Sequence, residues 1–118
     1  MRTRLTEILD VEHPVMLAGM GGVSYAELVA AVSEAGGFGC IGASTMGHPQ
    51  LVEEMAAVRE RTAKPYGVDL LTAAPQDFEA KIRDIAKGGA TVYVAGLGVP
   101  RDVVDLCHEL NLLVVNMC

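Results

Sequence analysis

Residues 14–43 read PVMLAGMGGVSYAELVAAVSEAGGFGCIGA and contain one strand–loop–helix–strand unit. The opening apolar run stops at a glycine-rich loop, residues 18–22, and a segment with helical periodicity follows Ser24. Gly36 suits the position just beyond the end of this helix, and a second apolar run begins at Phe38. Nearly continuous apolar strands are typical of a parallel sheet covered on both faces. The stretch therefore predicts a βα unit.

The same unit recurs along the chain. Apolar runs of β type begin at residues 15, 38, 66, 91 and 112, and four segments with helical periodicity separate them. A short amphipathic helix around Leu5, Ile8 and Leu9 precedes the first run. The pattern predicts an N-terminal helix, then (βα)4, then a fifth strand.

Cap and turn residues mark the starts of the four helical segments. Ser24 and Glu27 have the spacing of a capping box before the first segment. Pro49, Pro75 and Pro100 start the other three, because proline is favoured in the first helical turn. Two architectures accept the pattern: a doubly wound open sheet or part of a (β/α)8 barrel. A complete barrel needs about 250 residues, so 118 residues would supply about half of one.

Composition narrows the class of protein. Apolar residues make up 51% of the chain and charged residues 20%, with a formal net charge of −6. An acidic domain is poorly suited to nucleic acid, whose phosphates require a basic surface. The sequence shows no leader peptide pattern and no run of about 18 apolar residues, so we expect neither secretion nor a membrane span.

The three cysteines, Cys40, Cys107 and Cys118, lie within or beside apolar stretches. An odd number of cysteines in such positions predicts buried thiols in a reducing cytoplasm. None of them has metal-ligand spacing with a histidine, so we expect no metal site.

Two glycine motifs compete for a binding role. Gly37, Gly39 and Gly42 match G-x-G-x-x-G, but they follow a helix and run through a strand, whereas a dinucleotide loop follows a strand and opens a helix. We interpret them as glycines that allow close helix-to-strand packing. The loop at residues 18–22 has the required context, although a loop that needs glycine only for its turn stays a valid alternative.

Small and polar residues end the other predicted strands, where parallel α/β folds bind ligands. Asp69 interrupts an apolar strand and is either a site residue or a paired structural ion. His48 follows the second strand and is more simply a surface histidine. The remaining candidates at this edge are Ser44, Thr45, Gly96, Gly98 and Asn116.

Four ordered motifs carry a resemblance to a known family: RLTEILDVEHPVMLAGMGGVS, LVAAVSEAGGFGCIGASTM, KPYGVDLL and AGLGVP. Together they resemble the nitronate monooxygenase (2-nitropropane dioxygenase) family, and flavin-type enoyl-acyl-carrier-protein reductases share this framework. The resemblance implies that residues 1–118 are the N-terminal part of one FMN-binding TIM-type barrel, with FMN at the carboxyl ends of the strands.

The resemblance also implies site residues. Asp69 stands where the family more often has an asparagine that hydrogen-bonds the flavin, and an ionised aspartate accepts but cannot donate. Met20 would give the flavin ring an apolar, polarizable contact. The residues expected beside FMN are Ala18, Gly19, Met20, Gly21, Asp69 and Gly96.

The family's catalytic histidine and most of its phosphate loops lie beyond the matched motifs. Neither His48 nor His108 corresponds to that histidine, so we assign no catalytic residue, and we expect the 118 residues alone to be inactive and prone to associate, either with themselves or with a complementary barrel half. The resemblance implies oxidation of a small-molecule substrate, an alkyl nitronate, with O2 in the complete enzyme. The alternatives are an NAD(P)H-dependent enoyl-thioester reductase and a non-catalytic half-barrel.

Overall fold

Four parallel strands form the centre of the fold in the computed structural model, which describes residues 1–71 and 77–117. The strands are β1 (Gly39–Gly42), β2 (Tyr66–Leu71), β3 (Val92–Gly96) and β4 (Leu113–Met117). Each pairs with the next in chain order, β1-β2-β3-β4. A doubly wound sheet reverses its strand order at a switch point, and the order of these described strands does not reverse. The predicted partial (β/α) barrel is therefore confirmed.

Five helices accompany the strands in the described residues. They are α1 (Arg4–Leu9), α2 (Ala26–Glu34), α3 (His48–Arg61), α4 (Phe78–Lys87) and α5 (Arg101–Glu109). Pro49 lies in the first turn of α3 and Pro100 is the N-cap of α5, as predicted. Gly36 follows the end of α2 with a φ of +96°, also as predicted. Asp77 caps α4 by accepting a hydrogen bond from the backbone N–H of Ala80. Pro75, the predicted start of that helix, lies outside the described residues.

Two local predictions differ from the structure. The predicted first strand makes only an isolated bridge, between Met16 and Phe38. Pro14 has no N–H to donate, and the chain then turns into the glycine-rich loop, so no ladder extends. The capping box is wrong, because Tyr25 is the N-cap of α2 and its side chain makes no cap hydrogen bond. The N–H of Ala26 instead donates to Glu54 Oε2 of α3 at 2.8 Å. The hydroxyl of Ser24 is used elsewhere, as described below.

The sheet has two unlike faces because successive side chains of a strand alternate. On the helix-covered face, Tyr66, Val68 and Leu70 of β2 join a core built with α2, α3, α4 and α5. On the opposite face, here called the inner face, Cys40 and Val94 belong to a smaller cluster completed by Phe38, Val92 and, from α1, Leu9. Asp69 alternates with Val68 and Leu70 and therefore lies on the inner face.

Other predictions are confirmed in the described residues. A Cβ at Gly39 would lie 2.7 Å from Ser33 Oγ of α2, and one at Gly37 would lie 3.1 Å from Val32 Cγ1, so these glycines serve helix-to-strand packing. Cys40 and Cys107 are buried free thiols, while Cys118 lies outside the described residues. None of the described helices is both long and apolar enough to span a membrane.

Candidate functional site

A buried carboxylate lies between glycines at the carboxyl end of the sheet. Asp69 is only 3% exposed, and it pairs in register with Gly42 of β1 and Val94 of β3. Gly19 of the glycine-rich loop and Gly96 at the end of β3 approach the same carboxylate. We call Gly19, Met20, Gly42, Asp69 and Gly96 the Asp69 niche. Its residues come from a loop and three neighbouring strands.

The glycines of the niche leave room that a side chain would occupy. A Cβ at Gly19 would lie 2.7 Å from Asp69 Oδ2, and a Cβ at Gly96 would lie 3.8 Å from Asp69 Oδ1. A Cβ at Gly42 would lie 2.5 Å from the carbonyl oxygen of Met20. Real Cβ atoms do not come this close to backbone atoms, so Gly42 lets the loop backbone rest on β1. The niche therefore requires glycine for close approach, not only for turning.

Ser24 holds the glycine-rich loop in place over the sheet. Its side chain is fully buried, and its hydroxyl donates to the carbonyl of Ala18 at 2.7 Å and accepts from the N–H of Met20 at 3.1 Å. The Ser24 carbonyl in turn accepts from the N–H of Gly42 at 2.9 Å. Ser24 thus ties the loop together through its side chain and joins it to β1 through its backbone carbonyl. This fixed geometry presents the loop backbone at the strand ends.

Burial controls the electrostatics of the niche. It raises the pKa of Asp69 to about 6, because the charged carboxylate loses hydration. Asp69 Oδ1 is buried and has no hydrogen-bond partner among the described residues. Burial, and secondarily the negative charge of Asp69, raises the pKa of Cys40 well above its ordinary value, so this thiol stays protonated. The niche therefore contains an unsatisfied acidic oxygen beside a neutral thiol.

Apolar side chains form the rim of the niche. Met20 is 41% exposed and Leu71 is 36% exposed, and Leu97, with a φ of +61°, is exposed in the loop after β3. Ala18 and Gly21 are also exposed on the glycine-rich loop. An apolar rim around one buried polar group suits a ligand with a flat apolar body and a few polar atoms.

Most of the predicted site residues come together here. Gly19, Met20, Asp69 and Gly96 form the niche, and Ala18 and Gly21 continue the same loop. Among the other strand-end candidates, Ser44 Oγ accepts a hydrogen bond from the N–H of Leu71 at 3.1 Å, which ties the loop after β1 to β2. Thr45 Cγ2 would lie 3.6 Å from a Cβ at Gly21.

Two residues of this region carry roles that the sequence analysis missed. Gly42 was interpreted only as a packing glycine, and Ser24 only as a helix cap. Gly42 ends an apolar run at the carboxyl edge of a strand, which is a usable signal for a site residue. The role of Ser24 had no such signal, because its partners depend on how the loop folds.

The histidines lie apart from the niche. His48 Nε2 forms an ion pair with Asp84 Oδ2 between α3 and α4, with about half of the His48 side chain exposed. His13 lies near Glu12 and His108 is exposed on α5. The surface assignment of His48 is confirmed. The niche itself contains no histidine among the described residues.

Comparisons with known proteins agree on one group. The family model described as nitronate monooxygenase matches residues 2–117. A probable nitronate monooxygenase of Staphylococcus haemolyticus (strain JCSC1435) is 34% identical over 106 residues, and one of Staphylococcus aureus (strain JH9) is 32% identical over 108. These matches cover 90% and 92% of this chain but only 30% of each relative. The chain therefore spans less than a third of the length of these curated relatives.

Solved structures show the same backbone. FabK from Thermotoga maritima is 32% identical, with a TM-score of 0.91 over 98% of this chain and 37% of its own. A nitroalkane oxidase from Streptomyces ansochromogenes is 23% identical, with a TM-score of 0.82 over 98% of this chain and 42% of its own. At 23% identity, the second match supports the fold alone.

Proposed function

The chain belongs to the nitronate monooxygenase family of flavin-dependent oxidoreductases, and from this premise we propose that it forms one wall of an FMN site. Residues 1–118 would be the N-terminal part of a single FMN-binding barrel domain. In the complete enzyme the substrate would be an alkyl nitronate, oxidised with O2. The observation that carries this proposal is the Asp69 niche at the carboxyl ends of three neighbouring strands.

The residues of the niche fit a flavin ring. The glycines bring backbone close to the strand ends, and the exposed Met20 side chain offers a polarizable apolar contact. Asp69 Oδ1, buried and without a described partner, supplies a polar atom that could accept from a ring N–H or, if the carboxyl is protonated, donate to a ring carbonyl or ring nitrogen. A flavin has this combination of a planar apolar body and polar edge atoms.

Each residue has a proposed task. Gly19 and Gly21 would allow the loop backbone to lie against the ring, and Ala18 and Met20 would exclude water from that side. Gly96 would keep the space beside Asp69 open, since a Cβ there would also lie 2.7 Å from Leu71 Cδ2. Bound FMN would supply the redox chemistry. We assign no described residue as the catalytic base.

Anaerobic reduction tests the activity. The protein is expressed from its complete gene, loaded with FMN and mixed with an alkyl nitronate in the absence of O2. Bleaching of the flavin absorbance by the nitronate, followed by reoxidation with O2, is the expected result. The Gly19→Val variant should lose FMN, while Gly47→Val should keep it, because a Cβ at Gly47 would meet, beyond its chain neighbours in the described residues, Pro49 Cδ alone, at 3.9 Å. Retention of FMN by Gly19→Val would contradict the proposed site.

A second candidate is an NAD(P)H-dependent enoyl-thioester reductase. The observation that favours it is the match to FabK, which combines 32% identity with a TM-score of 0.91. The same anaerobic experiment separates the two functions. Bleaching by NAD(P)H with turnover of an enoyl thioester would support the reductase, whereas bleaching by a nitronate alone would support the nitronate monooxygenase.

Exposed apolar residues at the edge of the sheet suggest an assembly partner. Leu113 and Met117 of β4 are 42% and 44% exposed, and a strand edge without a neighbour promotes association. We propose that either further (β/α) units or a second copy of the chain covers this edge. The two buried thiols fit a reducing compartment, and we propose the cytoplasm. Sedimentation analysis of the purified 118-residue chain should show self-association, and a monodisperse monomer would contradict it.

A further inference from the structure

The Asp69 carboxyl has no cationic partner among the described residues, and one of its two oxygens has no hydrogen-bond donor there. It takes part in none of the ion pairs formed within residues 1–71 and 77–117. Its side chain is almost fully buried, and Oδ1 finds no donor among the described residues. Burial of a carboxylate that has no cationic partner and one oxygen without a donor shifts the balance toward the neutral acid.

The groups around the Asp69 carboxyl provide no positive charge that would stabilise its ionised form. Gly19, Gly42 and Gly96 contribute backbone and no charge, and Leu71 is apolar. The titratable groups that respond to the Asp69 charge are Cys40 of β1 and Tyr93 of β3. The pKa of each is raised mainly by burial, so both are neutral near pH 7 and neither can act as a counter-ion.

We propose that Asp69 binds the flavin as the neutral carboxylic acid, with its O–H donating a hydrogen bond to an acceptor atom of the ring. This inference rests on the proposed function and adds a positioning and binding role for one residue. In the free protein the raised pKa of about 6 leaves the carboxyl mostly ionised at pH 7. A ring that covers the niche removes more water, so binding takes up one proton from solvent onto Asp69.

Proton uptake makes affinity depend on pH in a defined direction. Below the pKa of the free protein, Asp69 is already protonated and binding is tightest. Above about pH 6, each further pH unit should weaken binding, approaching about tenfold per unit until the pKa of the bound form is reached. Asp69→Asn has a neutral amide that donates a hydrogen bond without a proton from solvent, so this part of the pH dependence should disappear.

The experiment measures the FMN dissociation constant from pH 5 to 8.5 by flavin fluorescence, using apoprotein expressed from the complete gene. Wild type, Asp69→Asn and the control Asp105→Asn, an exposed carboxyl on α5, are compared. The FMN phosphate also titrates in this range, but it contributes equally to all three proteins. Calorimetry in phosphate and Tris buffers then counts protons taken up on binding, since the buffers differ in ionisation enthalpy.

The expected result is a wild-type affinity that falls with pH relative to Asp69→Asn, together with greater proton uptake at pH 7.5. Asp105→Asn should follow the wild type. Parallel pH profiles for wild type and Asp69→Asn would overturn the inference while leaving the FMN site intact. So would loss of binding in Asp69→Asn with no excess pH dependence in the wild type, which would indicate an ionised acceptor. No FMN binding by any of the proteins at any pH would overturn the proposed function itself, and the inference with it.

Discussion

The two faces of the sheet differ in what they bury and in how well the buried groups are packed. The helix-covered face buries large apolar side chains such as Leu51, Ile82 and Ile85, and its Tyr66 hydroxyl is satisfied by the carbonyl of Gly88 at 2.8 Å. The inner face at the carboxyl end has glycines, an unsatisfied carboxyl oxygen and exposed apolar side chains. Stability favours the first arrangement, because its large apolar side chains gain packing contacts, although the buried Tyr93 hydroxyl on this face has no hydrogen-bond partner among the described residues. The second arrangement lowers stability, but it leaves open space and an unpaired polar atom with which a ligand can interact.

Removal of a helix-side core residue should have the largest effect on stability. Leu51→Ala leaves a cavity at a fully buried position, and we expect the free energy of unfolding to fall by about 2–5 kcal/mol. FMN affinity of the folded protein should stay unchanged, since Leu51 lies on the other face. The neighbouring Val52→Ala, at a side chain 46% exposed, should cost less than about 0.5 kcal/mol. Denaturant unfolding measures both, and equal costs would contradict the burial of Leu51 in the core.

The buried carboxyl of the niche should make the free energy of unfolding depend on pH. Because the folded pKa of Asp69 is raised from 3.8 to about 6, the folded state holds the proton more tightly than the unfolded state does. Stability is therefore greatest below pH 3.8 and is lost as pH rises to about 6, by roughly 3 kcal/mol. Asp69→Asn should remove this loss, so the variant gains stability relative to wild type between pH 4 and 7. Urea unfolding across this range checks it, and parallel curves would show that burial does not destabilise the carboxylate.

Space at the niche is tested by a matched pair of glycines. Gly42→Ala forces a Cβ against the Met20 backbone, and overpacking of this kind costs about 1–3 kcal/mol. It should also displace the glycine-rich loop and weaken FMN binding. Gly47→Ala has a φ of −72°, and its Cβ would lie 3.9 Å from Pro49 Cδ, so it should leave FMN binding unchanged. Because Gly47 is the N-cap of α3, where glycine is preferred to alanine, the change should cost no more than about 1 kcal/mol of stability. If Gly42→Ala binds FMN normally, the loop position does not matter for the site.

The smallest effect is expected on the outer surface of the helices. His48 pairs with Asp84 between α3 and α4, but its side chain is 52% exposed. Since solvent screens such pairs, His48→Gln should change the free energy of unfolding by less than about 1 kcal/mol. FMN binding should be unaffected, as His48 lies outside the niche. A large loss of FMN affinity would place a functional residue on the helix side and would contradict the assignment of the binding site to the inner face.

Much of the fold was predictable from local pattern. The apolar runs located β1 to β4 within one or two residues at each end, and Pro49, Pro100 and Gly36 marked helix ends correctly. These features depend on neighbours in sequence, such as the fixed φ of proline or the left-handed backbone at Gly36. The run at residues 14–18 does not extend into a strand, because Pro14 has no N–H to donate and the chain then turns into the glycine-rich loop. Its apolar pattern is suitable, but only Met16 finds a bridge partner, at Phe38.

The site was predictable only in part. The family resemblance indicated five residues of the niche and its loop that an unaided glycine pattern left ambiguous, and it flagged Asp69 as unusual. It did not indicate that Ser24 fastens the loop, because a serine before a helix is equally suited to capping. Nor did it indicate that Gly42 supports Met20, since that contact joins a strand to a loop 22 residues earlier in the chain.

The sequence by itself determined the order of strands and helices, because hydrophobic periodicity and the backbone preferences of proline and glycine act over a few residues. Only the tertiary structure decided that Gly19, Gly42, Asp69 and Gly96 meet. Parallel pairing aligns Gly42 with Asp69 and Asp69 with Val94, and this register puts one carboxyl on the inner face between glycines from different elements. Burial there, which depends on every neighbouring strand at once, gives Asp69 its raised pKa and its unsatisfied oxygen.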